Sequence, residues 1–314
     1  MYLAVTIRPE IMAEIIYLNG HLVPRSKARL SPFDHGFLYG YGLFETMRAY
    51  NGQIFRLDRH LTRLRRSAEI LGLAHNTIAS RSPEGSEGAA KQSLEAACLE
   101  TLAANRLKDA RVRLTITAGE GDMAPDPATC AGLTVLVTAK NLIPLPAKKY
   151  ELGFKAVPSS ARRNSQSPLS RLKSTCYLDN VLARMEAKAA GADEAILLNE
   201  RGLLAEGSTS NIFLVNEGML VTPSLQSGVL AGITREAVLE IAQASDIRRE
   251  EREVELRELM EADEAFITNS ILEIVPVTWF DGKPIGTGKP GQLTKKLMAA
   301  YRELVHRTLG GISR

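Results

Sequence analysis

The sequence predicts an α+β fold in two domains, and three observations carry that prediction. Asn19-Gly20, Asn51-Gly52 and Asp281-Gly282 each interrupt short runs of strand-forming residues, the strongest local signal for a β-hairpin. Leu57, Leu61, Leu64, Ala68 and Leu71 recur at alternating four and three residues, which places one apolar stripe of a helix toward a core. Midway along the chain, Asn141-Leu142-Ile143-Pro144-Leu145-Pro146 has no period and two prolines, the composition of a connection between domains. The expected division is a small α+β domain over 1–140, a linker over 141–148 and a larger domain over 149–314.

Taken in order, Ile15-Ile16-Tyr17-Leu18 forms the first strand, ending at Asn19-Gly20. A strand from Glu45 to Tyr50 turns at Asn51-Gly52 into Gln53-Ile54-Phe55, and the amphipathic helix follows. A polar loop over 80–88 leads to a second helix over about 89–107. Val112, Leu114 and Ile116 then alternate with Arg111, Arg113 and Thr115, the period of a half-buried strand, and 133–139 is another. In the second half, Lys173 is expected to open a helix that Leu178, Leu182, Met185 and Ala189 mark and that ends near Gly191. Short strands begin at Ala195-Ile196-Leu197-Leu198 and are separated by Arg201-Gly202 and Glu217-Gly218. A helix starts after Gly232, with Ala237, Val238, Ile241 and Ala242 on one face, and a terminal helix runs over about 292–308.

A chain of 314 residues with 45% hydrophobic content can bury a large core, which excludes disorder as a whole. Its net charge of +3 is small, and Arg63-x-Arg65-Arg66 and Arg162-Arg163 lack interleaved aromatics, so neither nucleic acid nor a membrane is an expected partner. Cys98, Cys130 and Cys176 are an odd set without framework spacing, which points to reduced thiols and a cytoplasmic location. No secretory leader and no apolar run approaching about eighteen residues is present. The five histidines show no helical pair spacing and there is no Cys-x-x-Cys, so no metal is expected.

Two charged residues stand out for their chemistry. Lys173, in Arg171-Leu172-Lys173-Ser174, and Glu206, in Leu204-Ala205-Glu206-Gly207-Ser208, are the pair that pyridoxal phosphate needs at opposite ends of its ring. The lysine amine binds the aldehyde, and a carboxylate beside the ring nitrogen keeps that nitrogen protonated, so the ring can withdraw electrons. Either residue alone is more often a solvated helix-end lysine or a turn glutamate. Gly228-Val229-Leu230-Ala231-Gly232-Ile233-Thr234 runs directly into a helix, where free N–H groups and the helix dipole favour an anion; taken alone, such a segment is more often a glycine turn capped by threonine. Gly286-Thr287-Gly288-Lys289-Pro290-Gly291 matches the spacing of a dinucleotide fingerprint, but it follows a hairpin and carries a proline where an N–H is wanted, and is read as a loop.

Several motifs occur together. They are Asp34-His35-Gly36-Phe37-Leu38-Tyr39-Gly40-Tyr41-Gly42-Leu43-Phe44-Glu45-Thr46, Arg59-His60-Leu61-Thr62-Arg63-Leu64, the lysine and glutamate segments, Gly232-Ile233-Thr234-Arg235, and Thr268-Asn269-Ser270-Ile271-Leu272-Glu273-Ile274-Val275-Pro276. In them the chain resembles the class IV, fold-type IV pyridoxal-phosphate enzymes, which include branched-chain and D-amino-acid aminotransferases and 4-amino-4-deoxychorismate lyases. The resemblance begins near Glu14, and residues before Met12 have no counterpart in it, which makes Met12 a candidate natural start.

The resemblance implies two domains with the active site between them, and a homodimer. It makes Lys173 the Schiff-base lysine and proton shuttle, Glu206 the partner of the ring nitrogen and Arg63 the clamp on the phosphate. Ile233, Thr234 and Ser270 are further phosphate donors, and Tyr177 faces the phenolic oxygen from one helical turn beyond Lys173. Arg111 and Arg113, two apart on a strand and so on one face, are a trap for the substrate carboxylate or else an exposed polar face; Tyr39 is placed with them as substrate-binding. The segment 119–127 lacks the arginine of the D-amino-acid enzymes, which counts against D-specificity. The activity implied first is transfer of an amino group from an amino acid or amine to a 2-oxo acid. The alternative is the lyase that releases pyruvate and 4-aminobenzoate, which Thr46 favours, standing as a catalytic threonine where branched-chain enzymes carry glycine. A regulator that binds a cofactor or nucleotide without turnover is the remaining reading, opposed by an intact Lys173, Glu206 and Arg63.

Overall fold

A computed structural model describes residues 14–73 and 93–310. The first half runs β1 (Ile15–Leu18), β2 (His21–Pro24), α1 (His35–Tyr39), β3 (Gly42–Tyr50), β4 (Gln53–Ile54), α2 (Leu57–Ile70), α3 (Leu94–Ala104), β5 (Ala110–Thr117) and β6 (Thr134–Asn141). Then follow α4 (Ala147–Leu152), β7 (Phe154–Arg163), α5 (Leu178–Ala189), β8 (Glu194–Asn199), β9 (Leu204–Gly207), β10 (Asn211–Asn216) and β11 (Met219–Pro223). The chain closes with α6 (Ile233–Ala244), β12 (Arg249–Arg252), α7 (Leu256–Glu261), β13 (Glu264–Asn269), β14 (Glu273–Phe280), β15 (Lys283–Pro284) and α8 (Gln292–Thr308).

Two sheets organise the molecule. The first is antiparallel, in the order β2-β1-β6-β5-β3-β4; the second is mixed, in the order β12-β11-β10-β13-β14-β7-β8-β9, with β15 on β14. All three predicted hairpins are present. Asn19, Asn51 and Asp281 sit at φ 46°, 47° and 49°, each followed by a glycine also at positive φ. Two consecutive left-handed residues twist a tight turn in the sense of its strands, and an asparagine or aspartate followed by glycine adopts that pair at least cost.

The stripe on α2 is buried as expected: Leu57, Leu61, Leu64 and Ala68 pack with Leu43, Met47, Val112 and Leu114 from β3 and β5. Each such leucine contributes about 1.5–3 kcal/mol of burial. On β3 the pleat divides the residues: Leu43, Met47 and Ala49 enter this core, while Phe44 and Thr46 alternate to the other face and line a cavity. The second sheet is covered by α6 and α8, which pack Val238, Ile241, Leu297 and Tyr301 against Phe213 and Phe266. Phe55, from the first half, enters that same core, its ring 5.8 Å from Tyr301.

The second half departs from expectation at the lysine. Lys173 does not open a helix; it follows a short 3-10 turn, Pro168–Arg171, and lies in an extended segment, with α5 beginning only at Leu178. Tyr177 is therefore the N-cap of α5, not one helical turn beyond the lysine. The reason is pairing with a distant strand: Phe44 N–H donates to the Lys173 carbonyl and Thr175 N–H to the Gly42 carbonyl, both at 2.9 Å. The helix marked by the leucines is present as α5, but its apolar stripe faces outward. Leu178, Leu182 and Met185 are 69%, 45% and 61% exposed, and the helix instead buries Asn180, Ala183 and Ala187 against β7 and β8. The polar loop over 80–88 and the residues before Met12 lie outside the described residues, as does the start of the second helix, which is described from Leu94.

Candidate active site

A cavity of about 690 Å³ opens where the two sheets meet. Its wall includes Lys173, Glu206, Arg63, Tyr177, Ile233, Thr234, Ser270, Thr46, Arg111 and Arg113. Ten of the eleven site residues read from sequence are thus brought together. The eleventh, Tyr39, is not in this wall: it is partly exposed at the end of α1, where its hydroxyl donates to the Met123 carbonyl.

Lys173 is half-buried in the cavity wall, with Nζ 4.7 Å from the centre of the Phe44 ring. Burial, then the nearby Arg63 guanidinium, lowers its amine to about 8. A substantial fraction is therefore neutral, and nucleophilic, near pH 8. Glu206 sits on β9, 5% exposed. Its Oε2 accepts the Leu230 N–H at 3.0 Å and its Oε1 lies 3.2 Å from Nη2 of Arg163. Burial raises the Glu206 carboxyl, and Arg163 is the main influence opposing that rise. Tyr177 stacks edge-on to Phe44 at 5.3 Å, and burial pushes its phenol up to about 12, so it is a proton donor at neutral pH.

Arg63 is held by a residue that spacing alone did not reveal. Its Nε and Nη2 donate to the two oxygens of Glu45 at 2.8 and 2.6 Å, and Nη1 donates to the Ala231 carbonyl at 2.7 Å. Glu45 also receives Nδ1 of His60 at 2.7 Å. Burial alone would raise this carboxyl, but Arg63 and His60 outweigh it and hold it at about 2. Beyond these bonds Nη1 and Nη2 of Arg63 each have one further N–H, charge-assisted donors of the kind a phosphate accepts. Near them α6 begins at Gly232 with no side-chain cap, leaving the first-turn N–H groups of Ile233 and Thr234 available. The turn with Ser270 is fixed by Asn269, whose Oδ1 accepts from the N–H groups of Ile271 and Leu272 at 3.0 and 2.7 Å. Beneath it, Thr268 Oγ1 is buried without a hydrogen-bond partner among the described residues. Spare guanidinium N–H groups, an uncapped helix start and an orphaned hydroxyl in one wall are a donor set suited to a phosphate dianion, and so to pyridoxal phosphate.

Thr46 and Arg113 face each other across β3 and β5, and Arg111 is two residues along the same face. The guanidinium carbon of Arg113 lies 3.8 Å from the centre of the Phe44 ring, and both arginines line the cavity. Arg113 is half-buried there and Arg111 is exposed. Besides Glu45, sequence reasoning missed Arg163 and Glu194. Glu194 is buried beneath Glu206, accepting from the hydroxyls of Ser208 and Ser210. The rival glycine motif is closed: at its end, Glu264 accepts from the N–H groups of Leu293 and Thr294 at 3.0 and 2.7 Å and so occupies the start of α8.

A neutralisable lysine and a buried carboxylate in one cavity, with a phosphate-shaped donor set, define a cofactor-dependent enzyme. The sequence matches the family described as amino-transferase class IV over residues 42–280. It is 40% identical over 298 residues to a putative branched-chain-amino-acid aminotransferase of Methanocaldococcus jannaschii, covering 95% of this chain and 98% of that one. It is 37% identical over 293 residues to an aminodeoxychorismate lyase of Bacillus subtilis, covering 92% and 94%. The crystal structure of the branched-chain amino acid aminotransferase from Thermobaculum terrenum in its PLP form superposes with a TM-score of 0.78 at 26% identity, covering 94% of each chain. The chain belongs to the class IV aminotransferase family. Its fold is fold-type IV, and it is a transaminase that uses pyridoxal phosphate.

Proposed function

We propose that this cavity transfers an amino group from an amino acid to a 2-oxo acid, with Lys173 as the residue that holds the cofactor covalently and moves the proton. The observation that carries this reading is the placement of a lysine with an amine at about 8 in one cavity with Glu206 and the Arg63 donor set. When bound, pyridoxal phosphate supplies an electron sink for the substrate's α-carbon. The chain does the rest. Lys173 would hold the cofactor through its amine, and its Nζ, when free, would be the base that takes and returns the proton of the substrate's α-carbon. Glu206 keeps the ring nitrogen protonated, and Tyr177 donates to the phenolic oxygen. Arg63, Ile233, Thr234 and Ser270 bind the phosphate, and Arg111 and Arg113 bind the substrate carboxylate.

A homodimer is supported by the outward apolar face of α5, where Leu178, Val181, Leu182 and Met185 are all more than a third exposed. Tyr39 lies outside its own chain's cavity, so a substrate role for it requires the cavity of a second subunit. Cys98, Cys130 and Cys176 are all free thiols, which supports a cytoplasmic location. The division into 1–140, 141–148 and 149–314 is supported by the sheets, the first ending at Asn141 and the second starting at Phe154. The lyase remains the second reading because Thr46 lines the cavity and a lyase is among the relatives. The experiment is a half-reaction screen: holoenzyme is mixed with single L- and D-amino acids, without acceptor. Release of one 2-oxo acid per cofactor is expected from at least one donor, and no release across the panel would contradict transfer.

A further inference from the structure

One guanidinium joins three arms of the cofactor site. Arg163, the last residue of β7, lies with Nη2 3.2 Å from Oε1 of Glu206. The same Nη2 donates to the Ser170 carbonyl at 2.6 Å, and Nε donates to the Gly228 carbonyl at 3.4 Å. Ser170 belongs to the 3-10 turn that leads into Lys173, and Gly228 to the loop that leads into α6 and its uncapped first turn. Leu230, in that loop, donates its N–H to the second oxygen of Glu206, so the carboxylate is held on both sides.

We propose that Arg163 is a positioning residue that fixes Glu206 at the ring-nitrogen end of the cofactor and ties it to the Lys173 turn and the phosphate loop. The inference rests on the roles given above to Glu206 and Lys173. An arginine suits the task because its planar fork addresses several acceptors at once in fixed directions, whereas a lysine ammonium is a point charge on a flexible stem. A carboxylate as deeply buried as Glu206 takes up a proton unless a cation is beside it. A protonated Glu206 would no longer attract a proton to the ring nitrogen, so Arg163 acts on the cofactor's electronics without touching the substrate. A buried ion pair is in general a weak source of net stability, so the effect belongs in the site more than in the fold.

The test uses holoenzyme loaded with cofactor labelled at the ring nitrogen, in wild type, Arg163→Gln, Arg163→Lys and Glu206→Gln. Two quantities are read: the nitrogen NMR signal of the ring, which reports its protonation, and the cofactor dissociation constant of each apoenzyme. Arg163→Gln is expected to move the ring signal in the same direction as Glu206→Gln and to weaken cofactor binding by about tenfold or more. Arg163→Lys is expected to keep the ring signal near wild type but to bind cofactor more weakly, since one ammonium cannot bridge all three segments. A wild-type signal and affinity in Arg163→Gln, with a displaced signal in Glu206→Gln, would overturn the role of Arg163 alone. An undisplaced signal in Glu206→Gln would remove the assignment of Glu206 and this inference with it. Should Arg163→Gln not fold, wild-type affinity in Arg163→Lys contradicts the bridging role.

Discussion

Phe44 touches Lys173 twice, through its backbone and through its ring. Its N–H donates to the Lys173 carbonyl at 2.9 Å, and its ring centre lies 4.7 Å from the lysine Nζ. A strand of the first sheet thus sets both the course of the lysine segment and the floor beneath the amine. The same ring carries Arg113 and stacks on Tyr177, so the proposed catalytic, substrate and cofactor groups share one aromatic support.

The lysine amine gives a pH prediction with a definite sign. Attack on an aldehyde needs the neutral amine, and the Lys173 amine is lowered to about 8 by burial and then by Arg63. Apoenzyme should therefore capture pyridoxal at a rate that climbs as pH rises through about 8, below the range of a free lysine. Arg63→Gln removes a lowering influence and should move the midpoint upward. Pyridoxal lacks the phosphate, so the other role of Arg63 does not enter. A midpoint unmoved in the variant, followed by stopped-flow absorbance, would contradict the coupling.

Arg63→Ala should weaken cofactor binding more than it slows a saturated enzyme, because its proposed work is done in the ground state. Loss of a charge-assisted contact costs roughly 1.5–3 kcal/mol, on the order of ten- to a hundredfold in affinity. Glu45→Gln should shift affinity in the same direction, since Glu45 holds two of the Arg63 nitrogens. Titration of apoenzyme with pyridoxal phosphate reads both. Unchanged affinity in Arg63→Ala would return it to a structural role beside Glu45.

Thr46 separates transfer from elimination. If the enzyme is chiefly a transaminase, Thr46→Gly widens the accepted donors without stopping transfer. If elimination dominates, Thr46→Val depresses pyruvate release from aminodeoxychorismate. Wild-type enzyme assayed with aminodeoxychorismate and, separately, with amino acids plus 2-oxoglutarate decides between them. Efficient release of 4-aminobenzoate with negligible transfer across the donor panel would overturn the transaminase reading.

Glu264→Ala should lower stability by about 0.5–2 kcal/mol through loss of the α8 cap, with cofactor affinity unchanged. Urea unfolding measures the first and apoenzyme titration the second. A rise in melting temperature on adding a nicotinamide dinucleotide would contradict the reading of the Gly286-Thr287-Gly288 loop as purely structural.

Much of this was legible in the sequence because the signals are local. A two-residue turn needs consecutive positive φ angles, so asparagine-glycine marks Asn51-Gly52, and the α2 stripe follows from helical period alone. The α5 stripe located its helix but not its surroundings, because period reports an apolar face without saying what covers it; Leu178, Leu182 and Met185 point away from the chain's own core. Lys173 was read into that helix because the strand it pairs with lies far away in sequence. Glu45 and Arg163 escaped for a similar reason. Each is defined by a partner brought close only by folding, Arg63 across the α2–β3 packing and Glu206 across the second sheet. Arg63 and Glu206 themselves were visible because the family motifs keep them in recognisable surroundings.

The central claim, that Lys173 holds the cofactor, is tested most directly by reducing the holoenzyme with borohydride and mapping the modified peptide by mass spectrometry. Reduction fixes the carbon–nitrogen link, so the phosphopyridoxyl mass should appear on the peptide containing Lys173 and be missing from it in Lys173→Ala. The mass on any other lysine of the wild-type protein, or a cofactor that comes away unattached, would contradict the account.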